Sequence, residues 1–163
     1  MPGGVQVKKL PYIESSVFIV PLPDRGYARG VVARTTSKGK ILLGYFFGPR
    51  LPSNKEVALN DLHPDKSILC VRFGDLGLIN GEWLVVGTVP NWKRSEWSMP
   101  DFVRRDELSK KAWLVRYSDN DPSQIDEEYP TDFDSELGRD SVSGYGAVEL
   151  KLAKLLSNPS DLS

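Results

Sequence analysis

The chain has 163 residues, 40% hydrophobic and 26% charged, with a formal net charge of −1. That length suits one domain, 1–163, with enough interior to do without staples. A lone cysteine, Cys70, excludes an internal disulfide, and a single histidine, His63, excludes a histidine-rich metal site. Fourteen glycines and twelve prolines point to many turns and a strand-rich chain.

The start, Met1 to Lys9, has lysines but no apolar run behind them, so it does not read as a signal peptide. The longest apolar run, Ile41–Phe47, is too short to span a bilayer, and a cytoplasmic protein is expected. Val17–Leu22 predicts the first strand, ended by the turn composition Pro23-Asp24-Arg25-Gly26. Gly26–Thr35 predicts the second, with Gly30 in its middle, and Ile41–Phe47 the third, with Gly44 in its middle. A mid-strand glycine marks a bulge or a bend. The expected fold is therefore mainly β (α+β). It would be a small bent antiparallel sheet or an SH3-like, partly open barrel with a C-terminal helix.

Gly48–Asp65 reads as a long connection, with room for a short helix over 54–62. Ile68–Phe73 predicts a buried strand. Gly74–Gly81 reads as turns flanking a short strand, Asn80-Gly81 being a hairpin signal. Trp83–Val89 and Ala112–Tyr117 predict two more strands, and Pro90–Asp106 between them reads as irregular. The strand-rich body is thus 15–118. An acidic loop over 119–146 and a helix over 147–157 follow. The helix has Val148, Leu152 and Leu155 on its apolar stripe, widened by Leu150 and Leu156, and ends at Asn158-Pro159.

Charge is unevenly placed. Residues 1–118 carry 18 basic and 11 acidic side chains. Residues 119–140 carry nine acids (Asp119, Asp121, Asp126, Glu127, Glu128, Asp132, Asp134, Glu136 and Asp140) against Arg139 alone. Such a run is either a solvated loop or a surface complementary to a basic partner. Tyr129 and Phe133, set among these acids, are candidate anchors. A second candidate surface is Trp92, Lys93, Arg94 and Trp97. Basic residues interleaved with tryptophans can hold nucleic acid, and the simpler reading is that both rings plug the end of the barrel.

No catalytic constellation is legible. Cys70 lies inside an apolar strand, where a thiol is inert, so pairing it with His63 is only formally possible. Asp119-Asn-Asp-Pro-Ser lacks the continuation of a calcium loop, and no phosphate-cradling glycine motif is present. No metal, cofactor or catalytic residue is expected, and binding is expected in place of catalysis.

Two stretches carry a family resemblance. They are Phe18-Ile-Val-Pro-Leu-Pro-Asp-Arg-Gly-Tyr-Ala-Arg-Gly-Val-Val and Arg72-Phe-Gly-Asp-Leu-Gly-Leu-Ile-Asn-Gly-Glu-Trp83. They resemble the immunity protein 26 group of bacterial polymorphic toxin systems, over roughly 15–118. Ser15-Ser16 stands where members often carry Gly-Asp. The resemblance implies a non-catalytic cytosolic protein that binds and neutralises a cognate toxin, for example a nuclease with a basic cleft. The acidic residues 119–136 named above lie outside it, and their role as toxin-binding surface is read from charge alone. A nucleic-acid-binding barrel using Trp92 and Trp97 is the alternative function.

Overall fold

The structure is a computed structural model and describes residues 9–157. Ser16–Pro21 (β1), Tyr27–Arg34 (β2) and Ile41–Leu51 (β3) form an antiparallel meander, and Leu69–Gly74 (β4) pairs antiparallel with β3. Leu84–Thr88 (β5) joins the far edge beside β1, and Val142–Ser143 (β10) lies parallel to β4. The sheet order is thus β10-β4-β3-β2-β1-β5. A second sheet, in the order β8-β7-β6-β9, is built from Phe102–Asp106 (β6), Lys111–Ser118 (β7), Asp121–Thr131 (β8) and Gly138–Arg139 (β9). The expected mainly β fold is present, as two mostly antiparallel sheets where one was expected, and with no closed barrel.

The middle strands of the first sheet are apolar on both faces, so alternation places two cores back to back. Phe18, Val20, Ala28, Val32, Leu42, Phe46 and Phe73 face one way. Val17, Val31, Ala33, Leu43, Tyr45 and Phe47 face the other. Trp83 and the helix Tyr145–Leu155 (α2) cover the first core, and Phe102, Val115, Tyr117 and Trp97 cover the second. The molecule is therefore layered helix, sheet, sheet.

Aromatic rings dominate the helix-side core. Phe18 stacks on Trp83 at 5.4 Å and meets Phe46 edge-on at 5.7 Å. Gly30 and Gly44 make room for these rings. A Cβ at Gly44 would sit 2.5 Å from the Phe73 ring, and one at Gly30 would clash with Cε2 and Cζ of the Phe18 ring. Gly30 keeps regular register between Phe18 and Phe46, so no bulge falls at it. The bulges of β2 flank it, between Tyr27 and Arg29 and between Val32 and Arg34.

Several expectations are corrected. Leu76–Ile79 is a short helix (α1), not a strand between turns, and β4 and β5 do not form a hairpin. The chain turns at Gly81, with φ of 82°, and β5 crosses to pair with β1. Residues 54–62 form no helix. Buried Arg29 fixes this connection instead, donating to the Ala58 and Gly48 carbonyls at 2.9 and 3.2 Å and to Asp61 at 2.7 and 3.1 Å. The irregular stretch 90–106 ends in β6, and the supposed loop 119–146 holds β8, β9 and β10. The helix begins at Tyr145, and its buried face is Val148, Leu152 and Leu156, a spacing of four. Leu150 and Leu155 face solvent. Asn158-Pro159 lies outside the described residues. No helix among the described residues is long and apolar enough to cross a membrane.

Buried arginines join the layers. Arg50 donates to Asp24 and the Arg25 carbonyl at 2.6 and 2.7 Å, and to the Leu156 carbonyl at 3.1 Å, tying the β1–β2 turn to the end of α2. Arg72 lies 3.7 Å over the Tyr117 ring and donates to Asp140 at 2.9 Å and the Pro122 carbonyl at 3.1 Å. The Tyr117 hydroxyl also donates to Asp140. Arg72 comes from the first sheet and Tyr117 from the second, so this cluster bolts one to the other.

Candidate partner-binding surface

Part of the charge asymmetry of the sequence is folded away. Arginines of the basic body reach four of the nine acids in 119–140. Asp119 accepts from Arg34 at 2.9 Å and Arg94 at 2.8 Å, and Asp140 from Arg72. Glu127 lies 3.1 Å from Arg116, and Glu128 pairs with Arg104. Asp121 accepts from the backbone N–H and the hydroxyl of Ser123, and these bonds hold its carboxyl below the usual range. Asp126, Asp132, Asp134 and Glu136 are exposed. Their carboxylates have no hydrogen-bond or ion-pair partner among the described residues.

β7 and β8 position this charge. They form a hairpin whose outer strand leaves the body, and residues 123–130 of β8 are exposed without a break. Arg116 of β7 is clamped on the outer side. Asp101 holds both its Nε and Nη2, at 2.9 and 3.0 Å, and the Tyr129 hydroxyl lies 3.1 Å from Nη1. The guanidinium sits 5.8 Å from the Tyr129 ring centre, and that hydroxyl donates to Glu127. The bond to Glu127 pushes the Tyr129 hydroxyl up, keeping it protonated. Tyr129 is thereby a pre-ordered aromatic at the surface, 39% exposed.

Phe133 follows the strand and is half-buried. Arg105 and Lys110 lie 5.8 and 5.1 Å from its ring, and Arg105 donates to its carbonyl at 2.7 Å. The structure therefore gathers Asp126 to Tyr129 on the ribbon and Asp132 to Glu136 in the turn beyond it. Asp119 and Asp121 sit at the other end of β8. Sequence reading missed Asp101 and Arg116, which together with Arg104 hold the ribbon's side chains. Their facing positions follow only once 121–131 is known to be a strand opposite β7.

The tryptophan segment lies beside Asp119. Trp92 stacks on Trp97 at 5.2 Å, and Trp97, 2% exposed, packs edge-on against Tyr45 and Phe47. The Trp92 indole and the Arg94 Nε both donate to Glu14, at 2.9 and 2.8 Å, while Arg94 also holds Asp119. Lys93 lines a pocket of about 310 Å³ with Leu59, His63, Asn91 and Glu96. The Trp97 ring is thus committed to the core and the Arg94 charge to two carboxylates. Neither is presented to a base or a phosphate in this arrangement.

Burial pushes the Cys70 thiol up to about 12, so it is held as the unreactive protonated form. The Tyr45 hydroxyl, also pushed up to about 12 by burial, donates to the Ser98 carbonyl.

A two-sheet scaffold with an ordered outward ribbon is one that presents a surface, and comparison with known families gives the class: an immunity protein. The chain belongs to the immunity protein 26 family, whose model matches residues 14–114, more than half its length. The match runs from the residues before β1 into β7 and stops short of β8 and α2. Neither the curated proteins nor the solved structures give a match.

Proposed function

We propose that the protein acts in the cytoplasm by binding a cognate toxin and occluding its active surface, without catalysis. The β7–β8 ribbon and the turn after it are the contact surface. Family membership supports the immunity role. The observation that carries the choice of surface is the set of four carboxylates unpaired among the described residues, Asp126, Asp132, Asp134 and Glu136, beside the ordered ring of Tyr129. Free acids attract a basic face over distance, and an aromatic supplies the contact energy they lack. A nuclease, whose cleft must be basic to hold phosphates, is the kind of toxin that fits.

Glu127 and Glu128 are poor targets for a test, because removing them would free Arg116 and Arg104. The informative variant combines Asp126→Asn, Asp132→Asn, Asp134→Asn and Glu136→Gln. Against a toxin domain that this protein neutralises on co-expression, association should slow by about tenfold or more at low salt, and the difference should vanish at high salt. Equal association rates at low salt would remove the acidic surface from the interface.

A further inference from the structure

We infer that the partner engages this protein by adding an extended, lysine- or arginine-bearing segment to the free edge of β8. This deepens the toxin-binding reading and rests on it for the identity of the partner. The carrying observation is the edge itself. β8 is eleven residues long and last in its sheet, bonded to β7 on one side and to no other strand among the described residues. The other terminal strands offer less. β9 and β10 have two residues each, and β5 has five, with Leu59 packed on Gly87. An unpaired edge presents a row of N–H and C=O groups that a further strand can satisfy. Pairing from Ala112 to Ser118 keeps β8 extended, so little ordering is needed on docking. Pro130, with no N–H to give, fits an edge strand and no interior one.

Charge selects the occupant. A second copy of the chain would bring Asp126, Glu127 and Glu128 against their own counterparts, and like charges across a strand pair are destabilising. A segment carrying basic side chains meets Asp126 at the edge and Asp132 and Asp134 just beyond it, all unpaired among the described residues. The acids thus reject self-pairing and favour a basic strand.

The test uses the full chain, isotope-labelled, alone and in complex with an unlabelled toxin domain that it neutralises on co-expression. Amide exchange within 123–130 should slow by about tenfold or more on binding. Backbone-to-backbone proton contacts should link β8 to a toxin segment containing Lys or Arg, and the free protein should remain monomeric. A complex that forms while the β8 amides exchange as before, or that shows only side-chain contacts, overturns strand addition and leaves toxin binding standing. Failure of the two proteins to associate overturns the toxin-binding reading itself. Self-association through β8 in the free protein overturns the selection by charge.

Discussion

Gly30→Ala tests the aromatic core at its tightest point. The new Cβ would lie under 3.0 Å from Cε2 and Cζ of Phe18 and 3.1 Å from Cε1. That ring cannot retreat, because Trp83 stacks on it at 5.4 Å, and Phe46 and Phe73 stand 5.7 and 6.0 Å away. Forcing atoms into such a core costs about 1–3 kcal/mol. Alanine returns about 0.5–1 kcal/mol of the backbone entropy that glycine loses. Because two ring atoms are struck at once, the clash belongs above the middle of its range, at about 2–2.5 kcal/mol, and the net loss should be about 1–2 kcal/mol. In a domain of this size that lowers the melting temperature by roughly 2–8 °C. Urea unfolding followed by tryptophan fluorescence measures it, since Trp83 lies in the affected cluster. Phe18→Leu removes the struck atoms, so the double variant should be more stable than the summed losses predict, by about 1 kcal/mol or more. A Gly30→Ala protein as stable as the parent, or losses that simply add, would refute the assignment of Gly30 as the space for the Phe18 ring.

Two further outcomes follow from the buried arginines. Arg72→Met leaves the Asp140 carboxylate, 10% exposed, without its cation and should cost about 3–5 kcal/mol in the same unfolding assay. Arg72→Lys should recover less than half of that, because an ammonium cannot lie flat on Tyr117 while reaching both Asp140 and the Pro122 carbonyl. The bonds from Arg29 hold the Asp61 carboxyl below the usual range, so its contribution is present above the ordinary carboxylate pKa and is lost as pH falls through the lower folded value. Asp61→Asn should therefore be less stable than the parent near neutrality, and the gap in urea midpoint should narrow below about pH 4. A gap independent of pH would break that link.

The strands of the first sheet were legible because Val17–Leu22, Ile41–Phe47 and Ile68–Phe73 are dense in β-branched and aromatic residues. β8 was not, because an edge strand outside the body meets water on both faces and shows no alternation for a reader to find. Asn80-Gly81 misled for a different reason. The turn is real, but Gly77 seats the Trp83 ring against α1, and β5 pairs far back in the chain with β1, Ile19 facing Leu84 and Ser16 facing Thr88, by tertiary packing alone. The helix was found and its stripe misphased, because Leu150, Leu152, Leu155 and Leu156 offer more leucines than one face can bury. The candidate acids were visible as a run. Their division into paired and unpaired was not, since Arg34 meets Asp119 across 85 residues of chain and Arg72 meets Asp140 across 68.

The bond from Arg50 to the Leu156 carbonyl spans 106 residues. It fixes an order of events during synthesis. By the time β5 has left the ribosome, Phe18, Phe46, Phe73 and Trp83 are all made, yet the helix that covers them is still to come. The nascent sheet must wait with an aromatic face bare until residues 145–156 emerge and Arg50 fastens their end. A chain stopped shortly before α2 would keep nearly all its strands and lose the cover of one core. Closure of this core therefore depends on completion of the last helix, although that helix lies on the opposite side of the first sheet from the β7–β8 ribbon.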